Sequence, residues 1–221
     1  MPTLRLPPQG TLTPIDDADP LRFYYKPLIG RIFRARIDLG LSLLGGRYKR
    51  ILEIGYGSGL LIPTLRSIAD GVHGVDLEPE PAGLRATLER LGTPVDELKQ
   101  SDVRQLPYAD SHFDAVVAFS ILEHLQCDQL SSAMREVARV LEAGGSFLIG
   151  CPAVHPAMNA AFAAIGFSDI EHHHFSSIVD VLRAAEPHFE LRRRATLPRA
   201  LDWVLPLGWA PYTAALLRKR S

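Results

Sequence analysis

Short apolar runs alternate with stretches of helical periodicity through the middle of the chain. The apolar runs do not alternate with polar residues, which is typical of strands buried on both faces of a parallel sheet; they are Ile51–Ile54, Val72–Val75, Ala115–Phe119 and Ser146–Gly150. The helical stretches between them are Leu60–Ala69, Ala82–Leu91 and Gln129–Leu141. This alternation predicts an α/β fold with a doubly wound, mostly parallel sheet and helices on both faces.

The flanking segments extend the prediction to seven strands and a helical cap. A short third strand is expected near Val95–Lys99, and Ser176–Ala185, Phe189–Leu197 and Tyr212–Lys219 are predicted to add a helix and two final strands. From Pro27 to Leu44, apolar residues that include Ile32 recur at helical spacing with arginines between them, which predicts a small N-terminal helical cap ending at Gly45–Gly46.

The amino-acid composition indicates where the domain begins and which class of binding partner is disfavoured. Residues 1–20 are rich in Pro, Asp and Thr and are predicted to be a flexible arm, and residues 21–221 a single domain with a core at 48–151 and a substrate-side insertion at 152–175. The 24 basic and 25 acidic residues give a net charge of −1, so there is no basic excess to favour a nucleic-acid partner.

The location of the protein in the cell and its contact with membranes are predicted from local sequence patterns. Cys127 and Cys151 form no disulfide framework or C-x-x-C site, and prolines stand where a signal peptide needs an apolar run, so we expect a cytoplasmic protein. The apolar stretch 203–217 is shorter than the roughly 20 residues of a membrane span and contains prolines. It is interpreted as a pocket wall, with contact to a membrane surface or a partner as the alternative.

The first predicted strand runs into a glycine-rich loop and then a helix. Its sequence is Glu53-Ile54-Gly55-Tyr56-Gly57-Ser58-Gly59. Glycines let the backbone approach a ligand closely, and the helix that follows offers unpaired N–H groups. The dinucleotide fingerprint G-x-G-x-x-G would need a glycine where Leu60 stands, and the chain has no phosphate loop of the G-x-x-x-x-G-K-[ST] type. The spacing therefore disfavours an NAD(P)-dependent oxidoreductase.

Glu53, Gly55, Gly57 and Gly59 match motif I of the class I S-adenosylmethionine-dependent methyltransferases, which this chain resembles over about residues 48–151. The resemblance implies that the loop holds the methionine part of S-adenosylmethionine and that Glu53 orients its amino group. Tyr56 stands where Cys or Ala is commoner. The product would be S-adenosylhomocysteine.

Further motifs follow in the family's order. The resemblance implies that Asp76, with Leu77 beside it, binds the ribose hydroxyls, and that Asp102 and Val103 bind the adenine. Leu106–Asp114 and Arg135–Gly145 resemble family motifs around the fourth strand and its helix, and Gly144–Gly145 fits a helix C-cap. The remaining predicted cofactor contacts are Ser120, after the fourth strand, and Tyr25, in an N-terminal segment that often covers the cofactor in this family.

The candidate general bases are His124, just after the fourth strand, and His173 in the run Glu171–His174. A structural role for each is the alternative. No metal site is predicted, because consecutive side chains of an extended chain alternate faces and no H-x-E or C-x-x-C partner occurs.

The favoured function is methylation of a small molecule that has apolar or aromatic parts. Oxygen is favoured as the acceptor atom over nitrogen or carbon. A non-catalytic S-adenosylmethionine-binding partner protein is the alternative; the oligomeric state stays open.

Overall fold

The computed structural model describes residues 1–16, 19–153, 175–199 and 209–220 of the chain. Seven strands are found there: β1 Tyr48–Ile54, β2 Ala69–Asp76, β3 Glu97–Gln100, β4 Phe113–Phe119, β5 Leu141–Pro152, β6 Phe189–Leu197 and β7 Tyr212–Lys219. They form one sheet in the order β3-β2-β1-β4-β5-β7-β6. The pairs among β1 to β5 are parallel, whereas β7 is antiparallel to both β5 and β6. The predicted doubly wound, mostly parallel sheet is confirmed.

Helices pack on both faces of this sheet. They are α1 Leu21–Tyr24, α2 Ile29–Leu41, α3 Ile62–Ile68, α4 Leu84–Arg90, α5 Cys127–Val140 and α6 Ile178–Ala185. Successive strand residues point to opposite faces: Ile51 packs in the core with α2, α3 and α4, and Leu52 in the core with α5 and α6. Both faces are apolar, which explains the lack of polar alternation in the strands. Within the described ranges, no helix is long and apolar enough to cross a membrane.

The order of the strands places a crevice at one edge of the sheet. β1 lies between β2 and β4, so the chain leaves β1 toward one side and later returns on the other. In doubly wound sheets ligands bind outside the carboxyl ends of the strands at such a reversal. The loop that starts at Glu53 therefore emerges at the position expected for a binding site.

The Leu106–Asp114 block braces the sheet. Arg139 of α5 donates hydrogen bonds to the main-chain oxygens of Leu106 and Tyr108, at 2.9 and 2.7 Å. The Asp114 carboxylate accepts hydrogen bonds from two consecutive N–H groups of β1, at 2.7 and 2.9 Å. This motif therefore ties β4 to α5 and β1, away from the carboxyl edge of the sheet.

The prediction that Gly144–Gly145 caps a helix was wrong. α5 ends at Val140, and Gly144 lies within β5 with a φ of +69°. The pairing of β4 with β5 jumps from Phe113–Leu141 to Ala115–Ser146, so the intervening residues of β5 form a bulge. Glycine suits this position because a bulge often needs a positive φ.

The N-terminal region also differs from the prediction. α2 ends at Leu41, before the predicted Gly45–Gly46, and Ile32 is exposed rather than part of its buried face. The first residues contact the domain: the Leu4 N–H donates to the Asp38 carboxylate at 2.6 Å, and Leu12 is buried. The prediction of a flexible arm did not include these contacts.

Candidate cofactor and active site

A cavity of about 320 Å³ opens at the carboxyl ends of β1, β2 and β4. It brings together seven predicted site residues, and they are Glu53, Gly55, Tyr56, Gly57, Asp76, Ser120 and His124. These residues lie on three strands or on the loops that follow them. They are far apart in the sequence and meet here because parallel strands end at the same edge of the sheet.

The two central glycines of the loop serve different purposes. Gly55 and Gly57 have φ values of +75° and +50°, where other residues are strained. A Cβ atom on Gly55 would lie 2.1 Å from the Ile121 Cδ1 atom. Among the described residues, a Cβ atom on Gly57 would approach nothing closer than the Asp19 Oδ2 atom, at 4.0 Å. Packing therefore requires Gly55, whereas Gly57 leaves free space that a ligand can fill.

Asp76 fixes this loop and retains capacity for a ligand. Its Oδ2 atom accepts a hydrogen bond from the Gly57 N–H at 2.8 Å, and its Oδ1 atom accepts one from the Glu78 N–H at 3.0 Å. A carboxylate offers about four lone-pair positions, so acceptor capacity remains for hydroxyl donors such as those of a ribose.

Glu53 is a buried acid without enough partners. Glu53 is only 6% exposed, and its Oε2 atom has no hydrogen-bond partner among the residues that the structure describes. Burial, together with the charge of Asp76, raises the pKa of Glu53 well above its ordinary value. A cationic group bound in the cavity would reverse this effect and satisfy the oxygen. Glu53 therefore fits an ammonium group.

Sequence reasoning missed Arg36 as a site residue. Arg36 and Tyr24 line the same cavity. The Arg36 Nε atom is buried without a hydrogen-bond partner among the described residues, and the guanidinium carbon lies 4.2 Å from the centroid of the Phe33 ring. The available signal was helical spacing: Arg36 follows the buried Phe33 by three residues, which places both on the inward side of α2.

Two predicted contacts have other partners. The Tyr25 hydroxyl donates a hydrogen bond to the Pro7 oxygen at 2.9 Å, and Tyr24 lines the cavity instead. The Asp102 carboxylate accepts hydrogen bonds from Arg104, with both oxygens 2.9 Å from the Arg104 Nε atom, and these bonds lower the pKa of Asp102. Neither Tyr25 nor Asp102 is among the residues that line the cavity.

Three more predicted residues lie outside the cavity lining. Leu77 is exposed, and Val103 is buried in the core with α5 and α6. Gly59 has a φ of +77°, and a Cβ atom there would lie 2.8 Å from Leu84, so its role in the structure is to pack the loop against α4. Adenine contacts by Asp102 and Val103 stay predictions.

His124 and Glu123 occupy a short 3₁₀ turn, Leu122–His124, beyond β4. His124 lines the cavity, whereas Glu123 is fully buried, and neither of its carboxyl oxygens has a hydrogen-bond partner in the described part of the chain. Burial raises the pKa of Glu123 to about 8. Ser120, just before the turn, has a φ of +57°, a strained value for a residue other than glycine. The backbone is thus held in a costly conformation at the cavity wall.

His173 lies outside the described residues, so its role as a base stays a prediction. The rest of the run Glu171–His174 lies outside them too. Within the ranges that the structure describes, no group of three His, Cys, Asp or Glu side chains is placed to hold a metal ion.

Three of the charged residues that line the cavity together fit one kind of ligand. Glu53 supplies an unsatisfied acid for an ammonium group, Arg36 a buried cation for a carboxylate, and Asp76 acceptors for hydroxyl groups. An amino acid joined to a ribose has all three groups. S-adenosylmethionine is such a molecule, and the open space above Gly57 leaves room for it.

Residues 52–149 match the family model described as a methyltransferase domain. A phosphatidylethanolamine N-methyltransferase of Cereibacter sphaeroides is 37% identical over 118 residues, which cover 52% of this chain and 55% of that protein. A ubiquinone biosynthesis O-methyltransferase of Dechloromonas aromatica (strain RCB) is 31% identical over 160 residues, covering 72% and 62%. The chain thus spans a little over half the length of these relatives.

The crystal structure of the N-methyltransferase NodS from Bradyrhizobium japonicum WM9, in complex with S-adenosyl-l-homocysteine, has the same fold. The TM-score is 0.65 at 19% identity, and the match covers 94% of this chain and 95% of NodS. Fold, cavity and family match agree: residues 52–149 match a methyltransferase domain, and the sheet has the fold of the class I S-adenosylmethionine-dependent methyltransferases.

Proposed function

We propose that the protein transfers a methyl group from S-adenosylmethionine to a small molecule. The observation that supports this most is the buried Glu53 oxygen without a partner, in one cavity with Arg36 and Asp76. Glu53 would accept from the ammonium group, Arg36 would donate to the carboxylate, and Asp76 would accept from the ribose hydroxyls. When bound, S-adenosylmethionine supplies an electrophilic methyl group.

An oxygen acceptor with apolar or aromatic parts suits the rest of the cavity. Phe119 and Ile121 form part of its wall, and His124 lines it at the end of β4. His124 would take the proton of an acceptor hydroxyl as the hydroxyl oxygen bonds to the methyl carbon and the carbon–sulfur bond breaks, which would leave S-adenosylhomocysteine. A cavity that holds the acceptor atom in line with the methyl group would supply much of the acceleration of methyl transfer. The ubiquinone relative is named an O-methyltransferase and supports this choice.

Nitrogen is the second candidate acceptor atom. The phosphatidylethanolamine relative is named an N-methyltransferase. An amine needs to be unprotonated to attack, so His124 would serve the same purpose by taking a proton before transfer.

Calorimetry with S-adenosylmethionine, S-adenosylhomocysteine and NADH tests the cofactor. Both sulfur compounds should bind, and NADH should not. NADH binding without binding of either sulfur compound would instead identify an oxidoreductase. Transfer of a radiolabelled methyl group to metabolite extracts tests the reaction. Cofactor binding with no labelled product across varied extracts would favour a non-catalytic partner protein.

Asp76→Ala should weaken S-adenosylmethionine binding by about 1–3 kcal/mol, because the ribose hydroxyls lose an acceptor and the Gly57 N–H loses its anchor. Asp70→Ala is the matched control, since Asp70 lies near the opposite end of β2 and pairs with Arg47 on the surface. Calorimetry should show wild-type affinity for the control. Equal affinity of both variants would remove Asp76 from the cofactor site.

A further inference from the structure

The helices next to the cavity carry an unbalanced charge. Residues 21–41, which include both helices, contain five Lys or Arg residues and a single acid, Asp38, although the chain as a whole has a net charge of −1. The rest of the chain is therefore net negative, and the positive charge of this segment stands out against it. Such segregation creates a local positive field that attracts anionic partners.

Exposed apolar side chains lie among these cations. Leu28 is 75% exposed and Ile32 is 60% exposed, and their spacing of four residues puts them on the same side of α2. Arg31 is exposed beside Ile32. We call Arg22, Lys26, Leu28, Arg31 and Ile32 the α1–α2 patch.

The cations of this patch are available to a partner. The charged ends of Arg22 and Lys26 lie 4.8 and 4.7 Å from the centroid of the Phe23 ring. Across the described part of the chain, neither these two residues nor Arg31 forms an ion pair with an acid. Arg34 and Arg36 are not in the patch because they face Tyr24 and the cavity.

This combination fits an anionic lipid surface better than other polyanions. Exposed apolar residues flanked by Lys and Arg are typical of helices that lie in a membrane interface, where the apolar groups enter the headgroup region and the cations meet lipid phosphates. Single-stranded nucleic acid would need exposed aromatic rings for stacking, and Phe23 and Tyr24 are buried. The exposed side chains of the patch are aliphatic or cationic.

We propose that the α1–α2 patch docks the protein onto a membrane surface that contains anionic lipids. The same two helices contribute Tyr24 and Arg36 to the cavity, so docking would hold the cavity close to the bilayer. The docking itself depends on the patch alone and is independent of which reaction the cavity performs.

Flotation of the full chain with lipid vesicles tests the proposal. The protein should float with vesicles of phosphatidylcholine mixed with phosphatidylserine, stay behind with phosphatidylcholine alone, and detach as salt is raised. The triple variant Arg22→Glu, Lys26→Glu, Arg31→Glu should lower vesicle affinity by about 100-fold or more, given roughly tenfold for each 1.4 kcal/mol and about 1 kcal/mol for each cation. Leu28→Ser with Ile32→Ser should lower it by about tenfold or more.

The control changes three exposed arginines elsewhere: Arg135→Glu on α5, Arg183→Glu on α6 and Arg192→Glu on β6. It should keep vesicle binding, and all variants should keep S-adenosylmethionine affinity, which reports correct folding. Equal flotation with neutral vesicles, or an equal loss in the control, would overturn the proposal. Binding to single-stranded RNA but not to vesicles would overturn it as well, and would identify a nucleic-acid surface.

Discussion

Replacing Gly57 by alanine should weaken S-adenosylmethionine binding by about 10- to 100-fold while the protein still folds. The added methyl group would enter the open space beside the cavity, where no atom of the described residues except the Asp19 oxygen comes within 4.0 Å. Filling space that a ligand occupies costs about 1–3 kcal/mol, which corresponds to this range. Calorimetric titration with S-adenosylmethionine measures the change.

Gly92→Ala is the matched control for this substitution. Gly92 has a φ of +69°, a Cβ atom added there would have no described atom within 4 Å, and it lies beyond the end of α4, away from the cavity. Both variants should lose similar stability, roughly 1–2 kcal/mol, because both force alanine into the left-handed region. Only Gly57→Ala should lose cofactor affinity. Equal affinity of the two variants would place the cofactor elsewhere.

Replacing Glu123 by glutamine should stabilise the protein at alkaline pH. The Glu123 carboxyl is fully buried, its oxygens have no hydrogen-bond partner within the described ranges, and burial raises its pKa from 4.5 to about 8. The charged groups that face it come from several elements: Arg36 of α2 lowers its pKa, and the charge of Glu123 acts in turn on Cys151 of β5 and Tyr212 of β7. Glutamine has the same shape and cannot ionise.

The direction of the pH dependence follows from proton binding. Between pH 4.5 and 8 the folded protein keeps the Glu123 proton that the unfolded chain releases. The stability that Glu123 contributes is therefore complete below about pH 4.5 and is lost as the pH rises through about 8. At full ionisation the loss is roughly 3–5 kcal/mol, at 1.36 kcal/mol for each pKa unit.

Urea unfolding at pH 5 and pH 9 measures this effect. Glu123→Gln should be close to the wild type in unfolding free energy at pH 5 and more stable by several kcal/mol at pH 9. The exposed residue Glu89 of α4 provides the control, and Glu89→Gln should follow the wild type at both pH values. Parallel pH profiles for all three proteins would show that folding does not raise the pKa of Glu123.

Much of the sheet could be predicted because its signals are local. Apolar runs without alternation marked β1, β2, β4 and β5, since both faces of these strands are covered. The bulge in β5 could not be predicted from local signals in this way. Gly144 looked like a helix cap, because a cap and a bulge both favour a glycine with positive φ, and only the pairing of β4 with β5 separates them.

The sequence by itself determined the position of the glycine loop and of Asp76, because a strand followed by a tight turn places its own residues at the sheet edge. Tertiary structure decided which other side chains reach the cavity. Tyr24 rather than Tyr25 lines it, and Arg36 joins it, because the rotation of α1 and α2 against the sheet sets which helical residues face inward. The sequence shows the periodicity of a helix, but only packing against the sheet determines how the helix is rotated.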